Sequence, residues 1–148
     1  MTILALILAA ALAGQGTDKV TTVRVFVFTT TAAAPGETPS PDESGRLEAV
    51  RDMREALERQ KGITLVADRA EANVTMEVVG REQREEPGGA FGGKSFTRMG
   101  DTIIRLRVKA GEDEGDLKGM GQGTWGRAAK DGAERFMKWI ARREPKRI

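Results

Sequence analysis

Apolar residues in this chain recur with a period of two in some stretches and of about 3.6 in others, and the order of those stretches leaves few folds open. Residues Val20 to Thr30 are rich in β-branched and aromatic types and read as a strand, with Val23, Val25 and Val27 on one side and Arg24, Phe26 and Phe28 on the other. A loop with Pro35, Gly36 and Pro39 follows. Ser40-Pro41-Asp42-Glu43 then reads as a capping box with proline at the first helical position. Leu47, Val50, Met53 or Arg54, and Leu57 recur at helical spacing, and Gly62 falls where a left-handed cap would close a helix over 41–61. Ile63 to Val66 is a short strand, Asp68-Arg69-Ala70-Glu71 a capped single turn, and Ala72 to Gly80 a strand with Val74, Met76 and Val78 alternating against polar residues. A polar, glycine-rich loop over 81–100 leads to a strand at Thr102 to Lys109, then to an acidic turn at Glu112 to Asp116 and a last strand over 117–122. Thr124 can cap a final helix whose Trp125, Ala128, Ala129, Gly132, Ala133, Phe136 and Ile140 form one apolar stripe.

This pattern predicts an α+β two-layer sandwich, β-α-β-β-β-α, with two helices covering one face of a mainly antiparallel sheet. The opposite face then carries Arg24, Phe26, Phe28, Val79, Arg105, Arg107 and Lys109. Two phenylalanines are out of place on a bare surface, so either loops or a partner should cover them.

With 148 residues the chain fits a single domain, expected over 20–143. Ahead of it, Ile3 to Ala13 is an apolar run of about eleven residues, too short for the roughly 20 that span a bilayer. It suits the apolar core of a signal peptide, and Ala11-Leu12-Ala13 supplies the small-x-small cleavage pattern. Residues 1–13 are therefore expected to be a signal peptide, 14–19 a short linker and 144–148 a basic tail, with no transmembrane anchor in the mature chain. The sequence has no Cys, His or Tyr, which removes disulfides, thiolate ligands and the commonest general base and metal ligand. Charge is nearly balanced at +2, which argues against a nucleic-acid partner.

Three motifs invite a chemical reading. Gly88 to Ser95 matches G-x-x-x-x-G-K-[ST], the loop whose backbone N–H groups, lysine and hydroxyl hold a nucleotide and its magnesium. That chemistry requires a strand before the loop and a helix after it, whereas here a charged segment precedes and a strand follows. Gly88, Gly93, Lys94 and Ser95 are therefore kept only for the alternative, a nucleotide- or phosphate-binding protein, and a hairpin loop is the plainer expectation. Gly121-Gln122-Gly123-Thr124-Trp125-Gly126 matches G-x-G-x-x-G but lacks the following strand that would carry the ribose-binding carboxylate. Glycines alternating at 119, 121 and 123 instead predict bare backbone on which a helix or Trp125 packs closely. The acidic run Glu112-Asp113-Glu114-Gly115-Asp116 lacks the spacing of a calcium loop and reads as a solvated turn, so neither a metal nor a cofactor is expected. Lys138, Arg142, Arg143, Lys146 and Arg147 suit the carboxyl end of the last helix.

The element order, the helix over Leu47–Leu57, Gly62-Ile63-Thr64-Leu65-Val66-Ala67-Asp68, and Ala72-Asn73-Val74-Thr75-Met76-Glu77-Val78-Val79-Gly80 together resemble the amino-terminal domain of TolB and the related LpoB-type lipoprotein domain of the bacterial envelope. The chain departs from them in having no lipobox cysteine and no propeller after the domain, and in its long loops at 31–40 and 81–100. The resemblance implies an envelope protein that binds another protein and catalyses nothing. Together these readings favour an exported, periplasmic or secreted, non-enzymatic binding domain. Its working surface is expected on the sheet face bearing Arg24, Phe26, Phe28, Arg105 and Arg107, or on an exposed edge strand.

Overall fold

The computed structural model describes residues 22–84, 90–91, 94–95 and 100–143. The expected signal peptide at 1–13, the linker at 14–19, the tail at 144–148, and Gly88 and Gly93 lie outside the described residues.

The fold is an α+β two-layer sandwich with two helices on one face of a mainly antiparallel sheet. Strands β1 (Val23–Phe28), β2 (Ile63–Leu65), β3 (Val74–Gln83), β6 (Asp101–Ala110) and β7 (Asp113–Gln122) form the main sheet in the order β2-β1-β3-β6-β7, and β4 (Ala90–Phe91) pairs with β5 (Lys94–Ser95) in a small hairpin. With the short strand β2 counted, the element order around the main sheet in full is β-α-β-β-β-β-α. The first strand pairs in parallel with both its neighbours, while the longer β3–β6 and β6–β7 ladders are antiparallel.

Helix α1 (Pro41–Glu58) starts as its sequence demands: the Ser40 hydroxyl accepts the Glu43 N–H at 3.2 Å and Pro41 fills the first turn. The Glu43 carboxylate does not close the box on Ser40; it is buried and accepts the Ala33 N–H at 3.3 Å, tying the preceding loop to the helix. Ala49, Met53 and Leu57 form the buried stripe, whereas Leu47, expected to face inward, is 42 % exposed. Helix α1 ends at Glu58 rather than 61, and Gly62, at φ +81°, turns the chain into β2 instead of capping the helix.

Helix α2 (Trp125–Arg143) buries Ala128, Ala129, Gly132, Ala133 and Phe136 as the stripe requires. It lies directly on β7. A Cβ at Gly119 would collide with the Ala128 carbonyl oxygen, and one at Gly121 would stand 2.5 Å from the Ala128 nitrogen. At the other end, a Cβ at Gly115 would stand 2.5 Å from the Trp139 indole nitrogen. Gly119 and Gly121 thus let helix and strand backbones touch. Between the layers Val25, Val27, Met53, Leu57, Met76, Val78, Ile104, Leu106, Val108 and Phe136 form one buried core.

Strands β3 and β7 each run several residues further than the sequence reading. Beyond Gly80 the third strand continues to Gln83, because a bulge inserts Val79 between the Val78–Leu106 and Gly80–Arg105 pairs. The extra residue reverses the alternation, so Arg81 pairs with Ile104 on the helix side and Glu82 with Ile103 on the open side. Likewise the residues expected as an acidic turn are mostly strand: Ala110 pairs with Asp113, and only Gly111-Glu112 lies between them, with Gly111 at φ +62°.

Candidate functional site

The registers place the open-face residues in cross-strand rows. Phe26, Thr75, Lys109 and Glu114 make one row, and Phe28, Glu77, Arg107 and Asp116 the next. Past the bulge, Gly80, Arg105 and Lys118 make a third. Phe26, Phe28, Arg24, Arg105 and Arg107 are therefore brought onto one surface, opposite the layer of α1 and α2.

The two phenylalanines stack, with ring centroids 5.6 Å apart and planes 17° off parallel. They are half-buried, and the Arg69 guanidinium carbon stands 4.9 Å from the Phe28 centroid. Arg69 reaches there from a short turn whose Asp68 side chain caps the Ala70 N–H at 2.8 Å. The bulge residue Val79 is 42 % exposed and projects between two shallow grooves of the face. One, of about 280 Å³, includes Thr29, Thr30, Arg46 and Glu77. The other, of about 270 Å³, includes Arg105, Arg107, Asp116 and Lys118.

Sequence reading made this face aromatic and basic; the structure makes it aromatic and internally paired. Arg105 forms a two-pronged contact with Glu82, Nε to Oε1 at 3.0 Å and Nη2 to Oε2 at 3.2 Å. That hydrogen bonding holds Glu82 below the ordinary carboxylate range and raises Arg105. Arg107 Nε lies 3.3 Å from Asp116 and 3.4 Å from Glu114, while Arg24 donates to the Asn73 side chain from both Nε and its backbone N–H. Arg105 and Arg107 are held by carboxylates on the neighbouring strands β3 and β7, and Arg24 by Asn73 just ahead of β3. Val79 was expected on this face but not as a bulge, Glu114 and Asp116 were expected in a solvated turn, and Glu82 and Asn73 were not singled out from sequence. A glycine late in a strand, here Gly80, is the signal that marks a bulge.

Lys94 and Ser95 are extended residues of the small hairpin, paired with Phe91 and Ala90, where a phosphate loop would carry them into the first turn of a helix. The strand β6 begins only six residues after Ser95, at Asp101. In the acidic run, Asp113 pairs with Arg143 at 2.8 Å and Glu114 and Asp116 with Arg107, so that three of its four carboxylates are engaged by a cation. Among the described residues no group of three or more His, Cys, Asp or Glu side chains is placed to hold a metal ion. A hollow of about 480 Å³ lies between the carboxyl end of α1 and the amino end of α2, lined by the mixed charges of Asp52, Glu55, Arg59, Arg127 and Lys130. Arg59 there is bonded to Glu55. Among the described residues no helix is long and apolar enough to cross a membrane. No protein-family model matches the chain, and no curated protein matches it in sequence.

Proposed function

We propose that this chain is an exported, non-enzymatic domain that binds a protein partner in the cell envelope through its open sheet face. The observation that carries the reading is the stacked Phe26–Phe28 pair beside the exposed Val79, on a face against which no described helix packs. Aromatic side chains dominate interface energetics because they bury large area at small entropic loss, and they do so best when ringed by polar groups. Arg24, Arg105 and Arg107 supply that ring. Because Arg105 and Arg107 are ion-paired with Glu82 and Asp116, covering the face would not leave those two charges bare. The partner's matching surface is accordingly apolar at its centre.

Export rests on the apolar run and the Ala11-Leu12-Ala13 pattern, and the envelope setting agrees with the resemblance of fold order to the TolB and LpoB-type domains. The test is affinity capture from an envelope extract with the wild-type chain and with the Phe26→Ser, Phe28→Ser double variant. The expected result is one partner held by the wild type and lost by a variant that keeps its circular dichroism. If that variant unfolds, the rings belong to the core and the proposed interface is wrong.

A further inference from the structure

The second unpartnered surface is the outer side of β7, and it stands apart from the aromatic face. Among the described residues no strand pairs with this ten-residue edge. Two of its outward backbone groups are taken by helix α2. The Met120 N–H donates to the Asp131 carboxylate at 2.9 Å, and Arg127 donates to the Gln122 carbonyl at 3.4 Å. Peptide groups alternate in direction along an antiparallel strand, so the N–H and C=O of Glu114, Asp116 and Lys118 point the same way as those of Met120. Among the described residues nothing bonds to them. An open stretch of roughly 17 Å is left over residues 114–118. Beside it, between the strand and α2, runs a groove of about 360 Å³ lined by Lys118, Arg135, Lys138 and Arg142, with Asp131 as its one carboxylate. Asp131 is already engaged, by Arg135 at 2.7 Å and by the Met120 N–H. The carboxylates of Glu114 and Asp116 do not offset these cations, since both are turned to Arg107 on the open face.

We propose that the β7 edge and the basic flank of α2 form a strand-addition site for an extended acidic peptide segment of a partner protein. The peptide adds a sixth strand by bonding to the backbone at Glu114, Asp116 and Lys118. Side chains at alternate positions of an added strand fall on the α2 side, where carboxylates meet Lys138, Arg142 and Arg135. Backbone bonds supply the attachment, and the cations select acidic over neutral sequence. This proposal does not depend on the aromatic face being a docking surface.

The test uses the full chain and a fluorescein-labelled peptide alternating Glu and Val. Binding is followed by anisotropy, and amide hydrogen exchange is read residue by residue. The site predicts saturable binding and slowed exchange at the Asp116 and Lys118 amides. It also predicts a loss of about tenfold or more in affinity for the Lys138→Glu, Arg142→Glu variant. Both residues are exposed, so the variant should fold. A peptide of the same charge with alternate amide nitrogens methylated should lose binding to a similar degree. The proposal is overturned if the Glu–Val peptide does not bind, if the methylated peptide binds equally well, or if those two amides exchange unchanged. Protection of the same amides by raising protein concentration without peptide would show that a second copy occupies the edge, which also overturns it.

Discussion

The Arg81 guanidinium carbon stands 3.8 Å from the centre of the Trp125 ring. The same group donates to the Gly45 carbonyl at 3.3 Å and to the Glu48 carboxylate. One side chain, only 13 % exposed, thereby ties β3 to α1 and to the first residue of α2. It reaches them because the bulge at Val79 turns Arg81 to the helix side. Lysine keeps the charge but has neither the flat face nor the forked donors. Arg81→Ala should cost about 2 kcal/mol and Arg81→Lys about 1 kcal/mol in chemical denaturation. A lysine variant as stable as wild type would show that only the charge matters.

The helix–strand contact at α2 gives a prediction of opposite signs at two glycines. Gly119→Ala forces a methyl into the Ala128 backbone and should cost about 1–3 kcal/mol. Gly126 has nothing near its missing side chain, lies in the same helix and does not have a positive φ. Gly126→Ala should raise stability by about 0.5 kcal/mol. Paired melting curves decide it, and equal effects would contradict the flush packing of α2 on β7.

Acid sensitivity should trace to two ion pairs. The hydrogen bond from Arg81 holds Glu48 below its usual range, and that from Arg105 does the same for Glu82. With the folded carboxylate the stronger acid, the unfolded chain takes up the proton first as pH falls. The stabilisation is present above the ordinary glutamate range of about 4 and is lost as pH drops through the lower folded values. Glu82→Gln and Glu48→Gln should lower the melting temperature at neutral pH and converge on wild type in strong acid. A difference that persists unchanged in acid would assign the effect to shape rather than charge.

Because Lys94 and Ser95 lie in a hairpin, Mg-ATP should leave the melting temperature unchanged. An upward shift that disappears in Lys94→Ala would restore the phosphate-loop reading.

Much of this architecture was legible in the alternation of Val23, Val25 and Val27, in Ser40-Pro41 and in the small-residue stripe of α2, because each reports a strong local preference. The glycines at 119 and 121 were legible too, since close backbone contact leaves no other residue type possible. What escaped was set by tertiary partners. The strand past Gly80 carries Arg81 and Glu82, polar residues that hold strand positions only because a bulge re-registers them against Ile104 and Ile103. Leu47 keeps helical spacing, yet it is 42 % exposed and Ala49 is fully buried. The aromatic pair of the open face was visible as a pattern, but the ion pairs that neutralise Arg105 and Arg107 depend on cross-strand register, which single-strand patterns do not encode.

The open face as the partner-binding surface is tested most directly by photo-crosslinking. A photoreactive phenylalanine analogue is placed at position 28, at position 79, or at Leu47, which is equally exposed as Val79 but lies in the helix layer. Each full-length variant is irradiated in an envelope fraction. Docking on the open face predicts one discrete adduct of the same mass from positions 28 and 79 and none from position 47. An adduct from position 47 alone, or none from 28 and 79, would contradict it.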